Sequence, residues 1–214
     1  MCGINGFNFK DVGLIKKMMA LTSSRGPDNQ DFFETEEYTV GHNRLSIIDP
    51  EKRSNQPYYF KNFVLSFNGE IYNYIEIKNR LISKGYSFDT TSDTEVIIKL
   101  FDLEGTNSFK ELSGIFSISI YDVKIKKLYL VRDVVGVKPL YYHYDLENKK
   151  FIFSSLISSI LISLKDKKLN YEALNSYSNF NRNDYRETFF KNIFKVLPGE
   201  MIEVYNENYK RTKI

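Results

Sequence analysis

The spacing of apolar residues changes along the chain, and each spacing predicts a different element. Residues 2–9 are short, glycine-spaced and apolar at alternate positions from Ile4, which predicts a strand. Asp11 can cap a helix whose apolar residues recur at helical spacing: Leu14, Ile15, Met18, Met19 and Leu21. This helix is expected to end within residues 23–27, and two strands are predicted to follow at about 31–35 and 38–42.

The middle of the chain combines a strand with two capped helices. Residues 63–67 form an apolar run that leads directly into Asn68-Gly69, a dipeptide that breaks strands and tolerates positive φ. We therefore expect a fixed corner there, between the strand and a helix that begins after Asn73. The apolar face of that helix is predicted from Leu81 and Ile82.

Each of these two helices has the residue pattern of a capping box and a glycine terminator. Asn73 is followed by Glu76 in the first helix, and residues 92–95 read Ser-Asp-Thr-Glu in the second. Gly85 and Gly105 are expected to end the two helices.

The second half of the chain predicts paired strands and then helices. Two hairpins are predicted, from residues 115–121 with 128–132 and from 140–144 with 151–154, followed by helices at about 156–164 and 171–179, an irregular stretch at 181–192 and a last strand at 201–205. Without a repeated strand-helix-strand unit, this order indicates an α+β fold with two antiparallel sheets covered by helices. One domain over residues 1–214 is expected, with a core at about 2–205.

Composition narrows the classes of function. The chain has 214 residues, 42% of them hydrophobic, and its formal net charge is only +3 with charges of both signs interspersed, which argues against nucleic acid as a partner. One cysteine, with His42 and His143 far apart in sequence, provides neither an internal disulfide nor a metal-ligand cluster. No signal-peptide pattern or long apolar run is present, so we expect a cytoplasmic protein without a membrane partner.

The single cysteine, Cys2, directly follows Met1 and is the candidate nucleophile. Once Met1 is removed, the thiol and a free α-amine belong to the same residue, and an α-amine with a pKa of about 7.7–8.0 is a suitable base near neutral pH. His42 is the alternative base, although a lone histidine at a strand end is more often a structural residue.

The other requirements of acyl transfer are also present in the sequence. Asn68 offers a side-chain amide and Gly69 an unobstructed N–H for an oxyanion hole, with an ordinary turn as the alternative. Arg44 suits the carboxylate of a free α-amino acid, and Asp93, in the first turn of its helix, suits the amine. Taken singly, each of these two charges is more often a surface ion-pair or capping residue.

Seven ordered motifs resemble those of class II glutamine amidotransferases, and most closely the amino-terminal half of glutamine-hydrolysing asparagine synthetases. The motifs are residues 1–4 (MCGI), 25–28 (RGPD), 41–47 (GHNRLSI), 68–73 (NGEIYN), 92–95 (SDTE), 132–133 (RD) and 136–142 (GVKPLYY). The resemblance implies an N-terminal-nucleophile hydrolase fold, a four-layer αββα sandwich, and hydrolysis of glutamine to glutamate and ammonia through a Cys2 thioester.

The resemblance also implies roles for individual residues. It assigns Asn68 and Gly69 to the oxyanion hole, Arg44 to the glutamine carboxylate, and Asp93 with Glu70 to its amino side. It assigns the pocket lining to the backbone around four consecutive residues, Leu45, Ser46, Ile47 and Ile48. The motif at residues 25–28 is expected to be a structural corner.

Partners and cofactors follow from the same resemblance. Ammonia would pass to an ATP-dependent synthetase domain or subunit, and ATP and Mg²⁺ are expected only there, because no Ser-Gly-Gly-x-Asp-Ser type phosphate loop occurs in this chain. A homodimer is left open.

The chain departs from the family pattern at Ser24, Asn43 and Val134-Val135. The last departure is expected to affect contacts with a synthetase domain or ammonia passage. The rival functions are an amidase for another acyl substrate and an inactive regulatory or assembly module.

Overall fold

The computed structural model describes residues 1–180, 186–205 and 207–214. Its α-helices are α1 (Val12–Thr22), α2 (Tyr74–Ser83), α3 (Asp93–Glu104), α4 (Ile157–Leu161) and α5 (Tyr171–Phe180). Its strands are β1 (Gly3–Phe7), β2 (Asn29–Glu34), β3 (Thr39–Arg44), β4 (Tyr58–Phe60), β5 (Phe63–Ile71), β6 (Gly114–Asp122), β7 (Lys127–Arg132), β8 (Tyr141–Asp145), β9 (Lys150–Ser154), β10 (Ile193–Lys195), β11 (Glu200–Tyr205) and β12 (Asn208–Lys213).

The strands form two six-stranded sheets. The first has the order β10-β8-β9-β1-β3-β2, and the second has the order β12-β11-β7-β6-β5-β4. Every neighbouring pair in both sheets is antiparallel. Both predicted hairpins are present, as β6 with β7 and β8 with β9, so the prediction of an antiparallel α+β fold is confirmed.

Three apolar clusters separate four layers. Ile15 of α1 and Ile160 of α4 pack on the outer face of the first sheet. The two sheets pack on each other through a cluster that includes Phe153 from the first and Leu130 from the second. Residues of α3, among them Ile98, cover the outer face of the second sheet. The order helices, sheet, sheet, helices is the predicted αββα sandwich. In the described part of the chain, no helix is long and apolar enough to cross a membrane.

Strand β1 occupies the middle of its sheet. Its alternating sequence pattern predicted a strand but not this position. It pairs with β3 on one side and β9 on the other, and all five of its residues are buried. Even Asn5 is fully buried, because its amide donates to Thr22 Oγ1 at 2.7 Å and its carbonyl accepts from Ser154 Oγ at 2.7 Å. The residue before β1, Cys2, is consequently anchored by a central strand.

The predicted corner at Asn68-Gly69 is wrong. Strand β5 continues without a break to Ile71, with Asn68 opposite Ser117 and Gly69 opposite Phe116 in β6. Gly69 is needed for close approach rather than for positive φ, because a Cβ there would lie 2.1 Å from the carbonyl oxygen of Ile115.

The capping predictions are correct for helix starts and only partly correct for mechanism. Asp11 accepts from Leu14 N at 2.8 Å and Ser92 Oγ accepts from Thr94 N at 3.1 Å, as expected of N-caps. Asn73 does not cap α2, since its side chain instead donates to Glu111 O at 2.9 Å. Glu95 is buried and accepts from Thr90 N, so it does not complete the capping box that was predicted with Ser92.

The details of α2 and the chain end also differ from expectation. Ile77 and Leu81 face the core, whereas Ile82 is exposed. Gly85 and Gly105 have positive φ after their helices, as predicted. Three strands, β4, β10 and β12, were not predicted, and β4 and β12 form the two edges of the second sheet. Of the irregular stretch predicted at 181–192, residues 181–185 lie outside the described part.

Candidate functional site

The Cys2 thiol lies against the backbone that follows β3. Its Sγ is 3.4 Å from the N–H of Leu45 and 3.7 Å from the carbonyl oxygen of Leu45. The Arg25 Nε donates to the carbonyl oxygen of Cys2 at 2.9 Å. Three contacts therefore fix the position of the thiol before any substrate is bound.

The motif at residues 25–28 is a corner that joins the segments on either side of Cys2. Asp28 Oδ2 accepts from Ser46 N at 2.7 Å, and Asp28 N donates to Arg44 O at 3.0 Å. Gly26 packs so closely that a Cβ would lie 2.2 Å from Asn43 O. These contacts hold residues 26–28 against the backbone of residues 43–46, which agrees with a structural role.

A cleft opens beside Cys2 and contains most of the predicted site residues. It encloses about 550 Å³ of empty space, part of which is open solvent at its mouth. Nine of the ten predicted site residues line it: Cys2, Arg44, Leu45, Ile47, Ile48, Asn68, Gly69, Glu70 and Asp93. The tenth, Ser46, is not in the lining, and its N–H is held by Asp28.

The candidate oxyanion donors lie on an open edge of β5. Strand β4 pairs only with residues 63–65, so the edge is free of backbone partners farther along. Phe67 N donates to Gln56 Oε1 at 2.6 Å and Ile71 N donates to Asp93 Oδ2 at 3.1 Å. Gly69 lies midway between them, so its N–H points to the same edge by the alternation of a strand.

The side chain of Asn68 supplies the second candidate donor. Only 1% of this residue is exposed, and its Nδ2 has no hydrogen-bond partner among the described residues. A buried polar group without a partner is destabilising by about 1–3 kcal/mol. The unpaired amide of Asn68 therefore remains available to a group that enters the cleft beside the thiol.

Arg44 is placed in the cleft, but most of its donors are already used. Its Nη1 donates to Glu51 O at 3.1 Å and Asn55 Oδ1 at 2.7 Å, and its Nη2 donates to Ile48 O at 3.3 Å and to the carbonyl oxygen of Asp49. These bonds account for all four terminal N–H groups of the guanidinium. A substrate carboxylate can be held bidentately by these nitrogens only if it replaces some of these acceptors.

Asp93 begins α3 on the opposite side of the cleft. Its Oδ2 accepts from Ile71 N, and 3% of the residue is exposed. Burial raises the pKa of Asp93 to about 6, although the backbone N–H groups of Ile71 and Thr94 act in the other direction. The carboxylate is thus ionised at neutral pH but loses its charge in mildly acidic solution.

His42 is not placed to act as a base for Cys2. It is fully buried on β3, and its Nε2 lies 3.0 Å from Phe67 O. Burial lowers the pKa of His42 to about 4, so the ring is neutral. His42 contacts the backbone of β5, which agrees with the role of a structural residue.

The thiol itself is not activated by its surroundings. Burial raises the pKa of Cys2, while the Leu45 N–H, the positively charged chain terminus and the guanidinium groups of Arg44 and Arg25 act to lower it. Because burial prevails, the resting thiol needs a base. Met1 precedes Cys2 in the structure and lines the cleft.

Besides Met1, five lining residues were not among the predicted site residues: Gln56, Phe67, Ser92, Thr94 and Lys138. Ser92 and Thr94 flank Asp93, so their proximity could have been expected. Gln56 and Lys138 are brought to the cleft only by tertiary folding. Nothing in the spacing around either residue indicates which strand edge it reaches.

Comparisons with known proteins agree with this geometry. A family model described as a glutamine amidotransferase domain matches residues 1–213. Asparagine synthetase [glutamine-hydrolyzing] 1 of Bacillus subtilis is 36% identical over 214 residues, covering 95% of this chain and 33% of that protein. A putative asparagine synthetase [glutamine-hydrolyzing] 2 of Methanocaldococcus jannaschii is 32% identical, covering 92% of this chain and 42% of that protein. The chain thus spans about a third to two fifths of these curated relatives.

Solved structures share the fold at low sequence identity. A glutamine phosphoribosylpyrophosphate amidotransferase from B. subtilis has a TM-score of 0.71 at 19% identity, covering 99% of this chain and 49% of that one. A structure described as the allosteric regulatory enzyme of purine biosynthesis has a TM-score of 0.75 at 17% identity, with the same coverage. Because the family model covers nearly every residue, the chain belongs to the family of glutamine amidotransferase domains.

Proposed function

We propose that this chain hydrolyses glutamine to glutamate and ammonia through a thioester on Cys2. The observation that supports this most directly is the position of the thiol. It lies in one cleft with an unpaired amide, Asn68 Nδ2, and an open-edge N–H, Gly69 N. The same cleft is lined by two cationic side chains, Arg44 and Lys138, and by two anionic side chains, Glu70 and Asp93. A free amino acid with a side-chain amide matches these features.

The chemistry proceeds in two steps that share one base. The α-amine of Cys2 takes the thiol proton, and Sγ attacks the side-chain carboxamide carbon to form a C–S bond and an oxyanion, which Asn68 and Gly69 stabilise. The amine returns the proton to the leaving nitrogen as the C–N bond breaks, and ammonia departs. Water then attacks the thioester carbon while the amine accepts its proton, the C–S bond breaks to release glutamate, and the amine returns the proton to the Cys2 sulfur.

This mechanism requires the removal of Met1, because a peptide nitrogen cannot serve as the base. The test is intact mass combined with glutaminase activity. Protein that lacks Met1 is expected to release glutamate from glutamine, to form a covalent adduct with a glutamine-analogue electrophile, and to lose at least about 10³-fold in kcat on Cys2→Ala substitution. Failure of Met1-free protein to react at Cys2 would sink the proposal.

The two rival functions predict different results in the same assay. An inactive regulatory or assembly module is expected to retain Met1 and to be unreactive toward the electrophile. An amidase for another acyl substrate would prefer amides without an α-carboxylate and α-amine. Glutamine, asparagine and a simple primary amide should therefore be compared side by side.

The ammonia is proposed to pass to an ATP-dependent synthetase domain or subunit, in an asparagine synthase-like amidation of a carboxylate. The names of the two relatives support an asparagine product, with aspartate as the acceptor, while sugar acids and other carboxylates are alternatives. Transfer of label from amide-¹⁵N-glutamine to the acceptor in the presence of such a partner and ATP would test it. The single-domain boundary, homodimer and cytoplasmic location stay predictions.

A further inference from the structure

Asp49 is a buried acidic residue in the segment between β3 and β4, outside the set assigned above. Its exposed fraction is 7%, and its φ is +47°, in the left-handed region where non-glycine residues are uncommon. Pro50 follows it, and Arg44 lies five positions earlier. Residues held in this backbone conformation cluster at functional sites, which makes Asp49 a candidate for a role in the neighbouring cleft.

The side chain of Asp49 holds the segment that leads into α3. Its Oδ2 accepts from Thr91 N at 2.7 Å and from Thr91 Oγ1 at 3.0 Å. Thr91 is two residues before Asp93. Burial alone would raise the pKa of Asp49, but the Thr91 donors and the Arg53 guanidinium outweigh it and hold the pKa at about 2. Asp49 is therefore ionised over the whole useful pH range.

The backbone of the same residue holds the other charge. The carbonyl oxygen of Asp49 accepts from Arg44 Nη2, next to the bond from Arg44 Nη2 to Ile48 O. Asp49 consequently contacts Arg44 through its main chain and the approach to Asp93 through its side chain. It connects the two sides of the cleft through one residue.

Neighbouring contacts do not provide the same link. Arg53 forms an ion pair with Asp49 at 3.3 Å, but about half of the Arg53 side chain is exposed, and the two residues are only four positions apart in the same segment. Gln56 bridges Phe67 N and Thr94 Oγ1 without touching Arg44. Asp49 alone among these residues joins the cationic side of the cleft to the segment before Asp93.

We propose that Asp49 is a positioning residue for substrate recognition, which sets the separation between Arg44 and Asp93 to match the two charges of a free α-amino acid. The inference rests on the proposed glutaminase function. It does not give Asp49 any contact with the substrate or with the reacting atoms.

The test is Asp49→Asn in Met1-free protein. Asparagine tolerates the left-handed backbone, so the substitution removes the charge and one acceptor without altering the local conformation. We expect KM for glutamine to rise at least about tenfold, because small displacements of binding groups have large effects, with kcat within twofold of wild type. Labelling of Cys2 by a glutamine-analogue electrophile should slow in parallel, whereas labelling by neutral iodoacetamide should not.

Two further variants make the outcome decisive. Thr91→Val removes one of the two donors to Asp49 and is expected to raise KM by a smaller factor, and it decides the question if Asp49→Asn does not fold. Arg53→Ala, which removes only the exposed partner, should leave KM within twofold. An unchanged KM in both Asp49→Asn and Thr91→Val, or equal slowing of both labelling reagents, would overturn the inference. Inactive wild-type protein would instead remove the proposed function and the inference together.

Discussion

The two functional walls of the Cys2 cleft are built on opposite principles. The donor wall, Asn68 and Gly69, leaves its hydrogen-bond donors free: Asn68 Nδ2 has no partner among the described residues, and Gly69 N lies on an edge where the neighbouring N–H groups are occupied. The clamp wall, Arg44 and Asp93, is already hydrogen-bonded to the protein. The donor wall can stabilise a negative charge without rearrangement, whereas the side chains of the clamp wall must exchange hydrogen-bond partners to bind a charged substrate group.

This difference separates the rate of the chemical step from the affinity for substrate. Free donors aimed at a developing oxyanion need no reorganisation during the reaction, so their effect should fall on kcat. Saturated charges gain only the difference between their old and new partners, so their effect should fall on KM and be smaller. The predictions below test this separation, beginning with the largest effect.

Asn68→Ala removes a donor that is free in the resting cleft. We expect kcat for glutamine to fall by about 10²–10³-fold, because one oxyanion donor contributes about 2.7–4 kcal/mol to the transition state. KM should change little. Steady-state kinetics on Met1-free protein measure both quantities.

Ser66→Ala is the matched control for this substitution. Ser66 lies two residues earlier on β5, and it is also fully buried with an unpaired side-chain oxygen. It does not line the cleft, so the variant should keep wild-type kcat. A large loss in Ser66→Ala, or none in Asn68→Ala, would contradict the assignment of the donor wall.

Arg44→Lys tests the clamp wall. A lysine cannot reproduce four terminal N–H groups in a planar fork, so the segment that contains Glu51 and Asn55 loses its common donor. We expect KM to rise by about 10–100-fold and the melting temperature to fall by several degrees, with a smaller change in kcat.

Arg80→Lys serves as the control for the same chemical change. Arg80 lies on α2, where its exposed guanidinium pairs with Glu104 and Glu111. Kinetic constants should be unchanged in this variant. If Arg44→Lys lowers kcat by as large a factor as it raises KM, the two walls do not act separately.

The smallest expected effect is a pH dependence of KM from Asp93. Its pKa is raised to about 6, so its charge is present above that pH and is lost as the pH falls through 6. KM for glutamine should therefore increase by up to about tenfold per pH unit below 6. Stability has the opposite sign, because the folded state prefers the protonated form and the buried charge destabilises it at higher pH.

The comparison with Asp93→Asn isolates this contribution. The variant should have a high KM that no longer varies around pH 6, and it should be more stable than wild type at pH 8. A wild-type KM that is flat between pH 5 and 7 would mean that Asp93 does not hold the amino group.

Local sequence signals were sufficient for much of the fold. The helical spacing after Asp11 and the turn residues of the hairpins act over a few positions, and the structure agrees with both. Half of the ten candidate site residues, among them Cys2, Arg44 and Asn68, were selected by their chemistry, and the motifs of a family added the other half; nine of the ten line one cleft. Their catalytic roles stay predictions.

The errors arose where long-range pairing overrides local preference. Asn68-Gly69 reads as a turn, but pairing with β6 keeps it in an extended strand. Gln56 was missed because its role depends on which N–H group of β5 lacks a backbone partner. No local pattern states which part of a strand edge will be left open, and this open edge is what creates the donor wall.

The location of Met1 has a practical consequence for anyone who prepares this protein. Since Met1 lines the cleft and only Cys2 separates it from the buried central strand β1, an affinity tag fused ahead of it would begin at the cleft. Such a tag would also shield the bond that must be cut. Under the proposed mechanism, an amino-terminally tagged preparation should be inactive, and it can serve as the reference in the activity assays.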